Sequence, residues 1–271
     1  MSDIVLTAGV RSNLLQLQNT ATLMTQTQER LATGKKVNSA LDNPINYFTA
    51  QQLNNRAGSL NSLLDSMSNA TSTIQAANNG ITSLTKLVQS AQALVSQAQQ
   101  TSDTATRATL ATQFNAVLRQ IDQLAGDAGF DGINLLGGND LTVTLNESAS
   151  SSITVNGVND TTSGSLPISN STNNWATNAD LTSPASQLTA ALTTLQSQAQ
   201  AFGSNLTTVQ IRQDFTSTMV NTLQTGADNL TLADTNEEGA NMLALQTRQQ
   251  LSTTALSLAS QAAQGVLRLF Q

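Results

Sequence analysis

Apolar residues recur along this chain at alternating steps of three and four positions, the spacing that places them on one face of an α-helix. The first such run predicts a helix from about Ile4 to Ala32, and Gly34 supplies the residue type that most often ends a helix. Only about two positions in seven are apolar, which is typical of a coiled-coil seam. The seam residues are Val10, Leu14, Leu17, Ala21, Met24 and Leu31.

The second run is the longest in the chain. It keeps the same steps from Leu53 to Ala98, and the preceding pair Asn43-Pro44 suits a helix cap followed by a first helical residue. The run predicts a helix of about 55 residues, in which Asn78-Asn79-Gly80 is expected to cause a kink. A third helix is expected from about Asp103 to Gly126.

The pattern changes between Gly129 and Pro184, where Gly, Asn, Ser and Thr dominate. Residues 141–145 and 152–155 alternate between apolar and polar side chains, which predicts two strands. Asn156-Gly157 is a pair that favours a hairpin turn. Because this segment lies outside every helical seam, it is expected to be a small, exposed and dispensable β-rich insertion.

Helical spacing returns after Pro184 and predicts a helix to about Gly226. The last helix is expected to begin near Asp234, with Glu237 three residues later as a variant of the capping box. Its seam residues are Leu251, Ala255, Leu258, Ala262, Val266 and Leu269. The predicted fold class is therefore mainly α: a long antiparallel, coiled-coil-like helical bundle formed by the N- and C-terminal regions, with a small β-rich central insertion.

The amino-acid composition excludes several kinds of catalytic and metal site. It has no Cys and no His, which excludes thiolate nucleophiles, disulfides, His-dependent triads and Cys/His metal sites. The carboxylates within residues 126–132 lack the ligand order of an EF-hand loop and predict a plain turn. The adjacent Glu237 and Glu238 suit a helix start better than acid–base catalysis. We therefore expect a non-enzymatic protein without cofactor or metal.

Net charge and hydropathy argue against two classes of binding partner. The net charge of −6 argues against nucleic acid, which requires a basic face. No stretch approaches the ~20 apolar residues of a membrane span, so membrane insertion is not expected. The first ten residues lack the features of a signal peptide, so the protein, if it is extracellular, is expected to leave the cell by a route that does not cleave a leader.

The two terminal helices are expected to need neighbours. Ordering one residue costs ~1–2 kcal/mol of backbone entropy, whereas burying one leucine side chain returns ~1.5–3 kcal/mol. Their apolar seams are narrow and their other faces carry Gln, Thr and Asn, so the pair alone should be marginally stable. The pattern therefore favours self-assembly, in which other copies of the chain cover these helices.

Three motifs, in the correct order, resemble bacterial flagellins. Residues 31–43 (Leu-Ala-Thr-Gly-Lys-Lys-Val-Asn-Ser-Ala-Leu-Asp-Asn) resemble the N-terminal signature of that family, and residues 130–136 (Phe-Asp-Gly-Ile-Asn-Leu-Leu) resemble its Phe-Asn-Gly motif. Asn241-Met242 and residues 266–270 resemble its C-terminal helix. The resemblance covers residues 1–138 and 186–271, and leaves a central part that is short for the family.

This resemblance implies a secreted structural subunit of the extracellular flagellar filament, the self-assembled propeller for swimming motility. The seam residues of the first and last helices then form the subunit interface of an inner tube. Implied partners are other copies of the chain, filament cap and hook-junction proteins, an export chaperone and the flagellar type III export apparatus. The implied parts are an N-terminal inner-tube helix (1–42), two halves of a helical rod (43–136 and 185–228), a variable outer region (137–184) and a C-terminal inner-tube helix (229–271).

Two alternative functions stay open at this point. A hook–filament junction protein shares both terminal regions with flagellins, and a Pro such as Pro44 is common at that position in junction proteins. A secreted adhesin on a helical stalk is the second alternative, with its binding site in residues 137–183. Bulk self-assembly distinguishes the three, because a junction protein forms a thin collar and an adhesin stays soluble.

The resemblance also bears on immune recognition. In many flagellins the second helix carries a Gln-Arg-Val-Arg-Glu-Leu stretch that is contacted by the flagellin-sensing Toll-like receptor. The equivalent residues here are Gln89, Ser90, Gln92, Ala93 and Leu94, so both arginines and the glutamate are replaced. Because an interface arginine is often a hot spot, weak or no receptor activation is expected.

Overall fold

The computed structural model of this chain describes residues 8–269, without the side chains of residues 263 and 266–269. That part of the chain is mainly helical with one small two-stranded sheet, which confirms the predicted fold class. Residues 4–7 of the first predicted helix lie outside the described residues. The elements are α1 (Ala8–Thr33), α2 (Pro44–Gln100), α3 (Thr104–Asp127), β1 (Leu141–Thr144), β2 (Ser152–Val155), a 3₁₀ turn (Asn173–Trp175), α4 (Ala179–Thr231) and α5 (Thr235–Leu269).

Three helices begin at the capping residues that the sequence predicts. The side-chain oxygens of Asn43, Asp103 and Asp234 accept hydrogen bonds from backbone N–H groups two or three residues later, at 3.0, 2.8 and 2.9 Å. Short polar side chains satisfy the otherwise free N–H groups of a first helical turn in this way. Local chemistry therefore fixes where α2, α3 and α5 begin.

The bounds of α4 differ from the sequence-based prediction. The helix begins at Ala179, because the side chain of Asp180 accepts a hydrogen bond from the Thr177 N–H at 2.8 Å and closes the first turn before Pro184. It then continues past Gly226 to Thr231, so the expected end at Gly226 is wrong.

The described residues divide into two compact units. In the first unit (residues up to 55 and from 222 onward), α1 packs antiparallel on α5. The chain leaves α1 through Gly34, whose φ of 68° lies in the left-handed region that glycine adopts without strain. The Lys36 N–H then donates to the Thr231 carbonyl at 2.8 Å, and the Ala233 N–H donates to the Gly34 carbonyl at 3.0 Å. These bonds tie together the two loops that precede α2 and α5.

In the second unit (residues 56–221), parts of α2 and α4 pack with α3 around one apolar core. Trp175 and Phe114 lie at its centre, with no exposed surface and ring centroids 5.0 Å apart. The other large core side chains with almost no exposed surface are Met67, Ile74, Leu84, Ile121, Leu135, Leu136, Leu166, Leu181, Leu188 and Leu195. The predicted seam of the long second helix is thus an intramolecular core.

The two strands pair antiparallel, with Leu141 opposite Val155 and Thr144 opposite Ser152. The connecting loop is therefore residues 145–151, and the predicted hairpin turn at Asn156-Gly157 is wrong. Gly157 instead follows β2 and donates its N–H to the Asp140 carboxylate at 2.8 Å. A Cβ at Gly157 would lie 2.3 Å from the Asn139 carbonyl oxygen, so this glycine allows two chain segments to approach closely.

The central segment is not the exposed insertion that the sequence suggests. Several of its apolar side chains belong to the same core as α2, α3 and α4. These side chains are Leu141, Val143, Val155, Leu166, Ile168 and Trp175, each at most 7% exposed. Residues 137–184 therefore cover one side of the helical unit and complete its core.

A buried arginine, which the sequence analysis overlooked, fastens this region. The Arg107 side chain donates from Nε to the carbonyl oxygens of Ala98 at 3.1 Å and Thr101 at 2.7 Å. Its terminal nitrogens donate to the Ala176 carbonyl and the Asn178 side chain. Because these partners lie at the end of α2 and in the segment just before α4, Arg107 holds those two parts of the chain together with hydrogen bonds from a charged donor.

At residues 78–80, where the sequence predicts a kink, α2 continues as helix without interruption. Gly80 has a packing role: a Cβ there would lie 2.6 Å from Leu136 Cδ1 and 2.9 Å from Ala128 Cβ. We expect Gly80→Ala to lower the free energy of unfolding of this unit by about 1–3 kcal/mol through overpacking. Gly58→Ala is the matched control in the same helix, because its Cβ would contact nothing within 4 Å.

The control should raise the free energy of unfolding by up to ~1 kcal/mol, since alanine has the higher helix propensity. Thermal unfolding followed by circular dichroism measures both effects. Equal stabilisation by the two substitutions would contradict the packing role of Gly80.

Candidate subunit interface

The face of α1 that lies against α5 follows the predicted seam only in part. Val10, Leu17, Ala21, Met24 and Leu31 are half-buried, as expected for that seam. The most buried positions, however, are Thr20 and Thr27, whereas Leu14 is 41% exposed. The buried Thr20 hydroxyl donates a hydrogen bond to the Gln16 carbonyl at 2.8 Å, so it is not left without a partner.

The face of α5 that lies against α1 consists of residues other than those predicted for the subunit interface, which stays a prediction. Its buried and half-buried positions step by three and four along the helix: Glu238, Met242, Leu245, Gln249, Ser252, Leu256 and Ala259. The predicted Leu251, Ala255, Leu258 and Ala262 form a separate, exposed stripe. Leu251 is 67% exposed and Leu258 is 62% exposed. The side chains of Val266 and Leu269 lie outside the described residues.

The α5 helix therefore carries two parallel stripes with helical spacing. One stripe contacts α1 within the same chain, and the other, hereafter the 251 stripe, is covered by none of the residues that the structure describes. Large apolar side chains at regular helical spacing are rarely left in water without a reason. The 251 stripe thus marks a surface suited to another helix.

An ion pair joins α1 to α5 near the start of α5. Arg30 Nη1 lies 2.9 Å from Glu238 Oε1, and the Glu238 residue is 7% exposed. Arg30 Nε and Glu238 Oε2 are buried without a hydrogen-bond partner among the described residues. The position of Glu238 at a helix start is predictable from the sequence, but its pairing with Arg30 is not, because the two residues are 208 positions apart.

The Phe-Asp-Gly motif forms a tight turn after α3. Asp131 and Gly132 have φ values of 49° and 80°, and Phe130 and Ile133 exchange two backbone hydrogen bonds of 2.9 and 3.0 Å. This geometry is that of a type I′ turn, for which Asp-Gly is a preferred pair. The Asn134 amide then donates to two carbonyls at the end of α3, at 2.8 and 2.9 Å, and caps that helix.

These contacts give the predicted turn a structural role. Within the part of the chain that the structure describes, no group of three or more His, Cys, Asp or Glu side chains is arranged to hold a metal ion.

One buried carboxyl stands out electrostatically. Asp160 has no exposed surface, and its Oδ1 accepts hydrogen bonds from Gln198 at 2.8 Å and from the Ser165 hydroxyl. Burial raises the pKa of Asp160, whereas hydrogen bonds from Thr106 lower the pKa of the exposed Asp103. Because these hydrogen bonds join Asp160 to Ser165 in its own loop and to Gln198 on α4, the buried carboxyl anchors that loop to the helix.

The receptor-patch positions lie on α2. Gln89, Ser90 and Ala93 are exposed, and Gln92 and Leu94 are half-buried. A binding partner can therefore reach Gln89, Ser90 and Ala93. The structure contains no receptor, so the effect of these residues on recognition stays a prediction.

Comparison with known proteins identifies the family of this chain. Residues 7–140 match the bacterial flagellin N-terminal helical region, and residues 185–270 match the bacterial flagellin C-terminal helical region. Flagellin FljM of Caulobacter vibrioides is 31% identical over 275 residues, which cover 100% of this chain and 99% of that relative. The chain belongs to the bacterial flagellin family.

Two further relatives match along the whole chain, and one solved structure matches part of it. Flagellin FljK of Caulobacter vibrioides is 30% identical over 275 residues, covering 100% of this flagellin and 99% of the relative. A flagellin of Brucella melitensis is 24% identical over 282 residues and covers 100% of both chains. The crystal structure of Bacillus cereus flagellin aligns with a TM-score of 0.48 and 19% identity, over 55% of this chain and 86% of that chain.

This flagellin is the filament subunit of the bacterial flagellum, a structural protein of the extracellular filament that serves motility, and not an enzyme. The flagellin relatives match along the full chain, which favours the filament subunit over a junction protein or an adhesin. None of the helices within residues 8–269 is long and apolar enough to cross a membrane.

Proposed function

We propose that neighbouring subunits cover the 251 stripe of α5 and the outer side of α1 in the filament, so that these helices form its inner tube. The observation that carries the proposal is the second, uncovered stripe on α5. On α1, Leu14, Leu15 and Leu23 are 41%, 62% and 45% exposed and lie beside the half-buried seam. Both helices thus present apolar surface in addition to the faces that they use on each other.

The energetics support cover by other copies. Burying one leucine side chain is worth ~1.5–3 kcal/mol, so Leu251 and Leu258 together offer several kcal/mol to an assembled state. A narrow α1–α5 pair gains little from its own contacts, because residues such as Thr20, Thr27, Gln249 and Ser252 occupy part of its seam. Assembly supplies the apolar burial that the isolated pair lacks.

We also propose which part of the chain forms each layer of the filament. We assign residues 1–42 and 229–271 to the inner tube, 43–136 and 185–228 to the surrounding rod, and 137–184 to the outer region. A filament that grows from exported subunits also requires cap and hook-junction proteins, an export chaperone and the type III export apparatus as partners.

The test of the interface is the double substitution Leu251→Gln/Leu258→Gln. Both residues are exposed in the single chain, so the fold should be unaffected while polymerisation is weakened. Losing two buried leucines should raise the critical concentration for assembly by about a hundredfold or more. Sedimentation of filaments over a range of protein concentrations measures it.

The matched control is Thr253→Gln/Ser260→Gln, two exposed polar positions on the same helix with the same spacing of seven. This control should leave the critical concentration within about threefold of the parent. Normal assembly of the Leu251→Gln/Leu258→Gln protein would remove the basis for the proposed interface.

We also propose weak activation of the flagellin-sensing Toll-like receptor. Ser90 and Ala93 are exposed on α2 and offer no charge where other flagellins offer arginine and glutamate. An arginine hot spot is worth ~2 kcal/mol or more, which corresponds to about thirtyfold in affinity. Since both positions are exposed, charged side chains fit there without disturbing the core.

We expect purified monomer to be a weak agonist in receptor reporter cells, and Ser90→Arg/Ala93→Glu to recover part of the signal. Ser96→Arg/Gln97→Glu places the same charges at exposed positions one turn or more away and should recover none. Strong activation by the unmodified protein at low concentration would refute this assignment.

A further inference from the structure

A protruding turn in the first unit leaves three large apolar side chains in water. Leu41 is 96% exposed, Ile45 is 76% exposed and Phe48 is 54% exposed. Ile45 and Phe48 are three residues apart in the first turns of α2 and therefore lie on one face of it, and Leu41 lies in the turn that leads into this helix. We call this feature the 41–48 knob.

The knob is held rigidly. The Asp42 carboxylate accepts hydrogen bonds from the backbone N–H groups of Asn38 at 3.0 Å and Ser39 at 2.9 Å, and Asn43 caps the following helix. These bonds lower the pKa of Asp42, so its carboxylate is charged at neutral pH. A preordered surface loses little conformational entropy on binding, which is the property expected of a docking element.

A groove suited to such a knob lies between α1 and α5. Leu23, Ala244 and Leu245 line its apolar part, and Arg30, Glu238 and Arg248 line its polar part. The groove encloses about 290 Å³, at the lower limit of the ~300–1,000 Å³ typical of small-molecule sites, so it suits inserted side chains better than a ligand. Its buried Arg30 Nε and Glu238 Oε2 atoms have no hydrogen-bond partner among the described residues.

We propose that the 41–48 knob of one copy inserts Leu41 into the α1–α5 groove of a neighbouring copy in the filament. The inference rests on the proposed function, because it takes the occupant to be a second copy of this chain. A helical polymer requires contacts between two different surfaces of the subunit, since a surface that pairs with itself closes into a dimer. The knob and the groove are two such surfaces with no residue in common.

Charge favours the same pairing. Glu238 is neutralised by Arg30, and Arg248 has no acidic partner within the described residues, so the groove carries an uncompensated positive charge. The Asp42 carboxylate beside Leu41 already lies near Arg30 of its own chain, and it brings a negative charge to the Arg248 side of the neighbouring groove. Complementary charge at the edge of an apolar contact fixes the register of two surfaces.

The test uses the absence of cysteine from this chain. Leu41→Cys/Ala244→Cys places one thiol on the knob and one in the groove. Oxidation of assembled filaments should yield a ladder of covalent multimers on a non-reducing gel, because each copy links to the next. A disulfide forms only where the two Cβ atoms approach ~3.5–4.5 Å, so the ladder reports direct contact.

Leu41→Cys/Ser257→Cys is the matched control, with the second thiol at an exposed α5 position outside the groove. Oxidising each variant as a dilute monomer shows whether a disulfide forms within one chain. A ladder from the first variant alone supports the contact. Filaments that give no ladder, or equal ladders from both variants, overturn it.

A second measurement keeps the inference testable if the cysteine variants do not assemble. Leu41→Glu should raise the critical concentration about ten- to hundredfold, the range for losing burial of one leucine, whereas Leu41→Met should leave it nearly unchanged. An unchanged critical concentration for Leu41→Glu overturns the contact. Because the 251 stripe is intact in these variants, this failure is distinct from a failure of Leu251→Gln/Leu258→Gln.

Discussion

Replacing residues 140–180 with a flexible Gly/Ser linker is expected to abolish the cooperative unfolding of the second unit, and polymerisation with it. The replacement removes core side chains that include Leu141, Val143, Leu166 and Trp175. Truncating one large core side chain costs ~2–5 kcal/mol, so losing all of them exceeds the ~5–15 kcal/mol that stabilises a typical domain. It also removes two partners of the buried Arg107 side chain.

Thermal unfolding by circular dichroism and electron microscopy of concentrated protein measure these outcomes. The control replaces only residues 148–150, which are exposed in the loop between β1 and β2 and leave the Arg56–Glu147 ion pair intact. It should unfold at nearly the parental temperature and form filaments. Cooperative unfolding and normal filaments from the 140–180 replacement would mean that the central segment does not contribute to the core.

Deleting residues 240–271 is expected to abolish polymerisation while the second unit remains folded. The deletion removes most of α5, including the whole 251 stripe, and uncovers the face of α1 on which α5 packs. Residues 56–221 keep every side chain of their apolar core, so their unfolding temperature should change by no more than a few degrees. Deleting residues 1–32 should have the same two effects from the other side of the pair.

Sedimentation detects the loss of filaments, and circular dichroism follows the remaining helical unit. The expected result is a soluble, folded protein at concentrations well above those at which the parent polymerises. Filaments of normal diameter and stability from either truncation would show that the terminal helices are not needed for assembly.

The sequence predicted features that depend on local spacing and local chemistry. The positions of all five helices follow from apolar residues three and four apart, and Asn43, Asp103 and Asp234 begin helices because each satisfies N–H groups within its own first turn. Both strands are where their alternation predicts them. Such features need no knowledge of what lies far along the chain.

What the sequence could not predict depends on contacts between distant residues. The Arg30–Glu238 ion pair joins residues 208 positions apart. Trp175 lies in a polar stretch, and only its packing on Phe114 shows that this stretch belongs to the core.

The contact face between α1 and α5 could not be predicted for the same reason, and the predicted subunit interface stays a prediction. Periodicity shows that α5 has apolar stripes but not which stripe faces α1. Leu251 and Leu258 are therefore exposed, and Met242 and Leu245 take the intramolecular positions. Two apolar stripes on one helix, about a third of a turn apart, both step by three and four residues. Their spacing therefore does not show which stripe faces α1 and which faces another chain.

The two units each contain one fluorescent side chain. The single tryptophan, Trp175, is buried against Phe114 in the second unit, and the single tyrosine, Tyr47, packs edge-on against Phe48 in the first. Tyrosine emission should therefore report events at the 41–48 knob, while tryptophan emission reports the integrity of the helical core. Polymerisation and unfolding of this flagellin can thus be followed as two separate optical signals in one unlabelled sample.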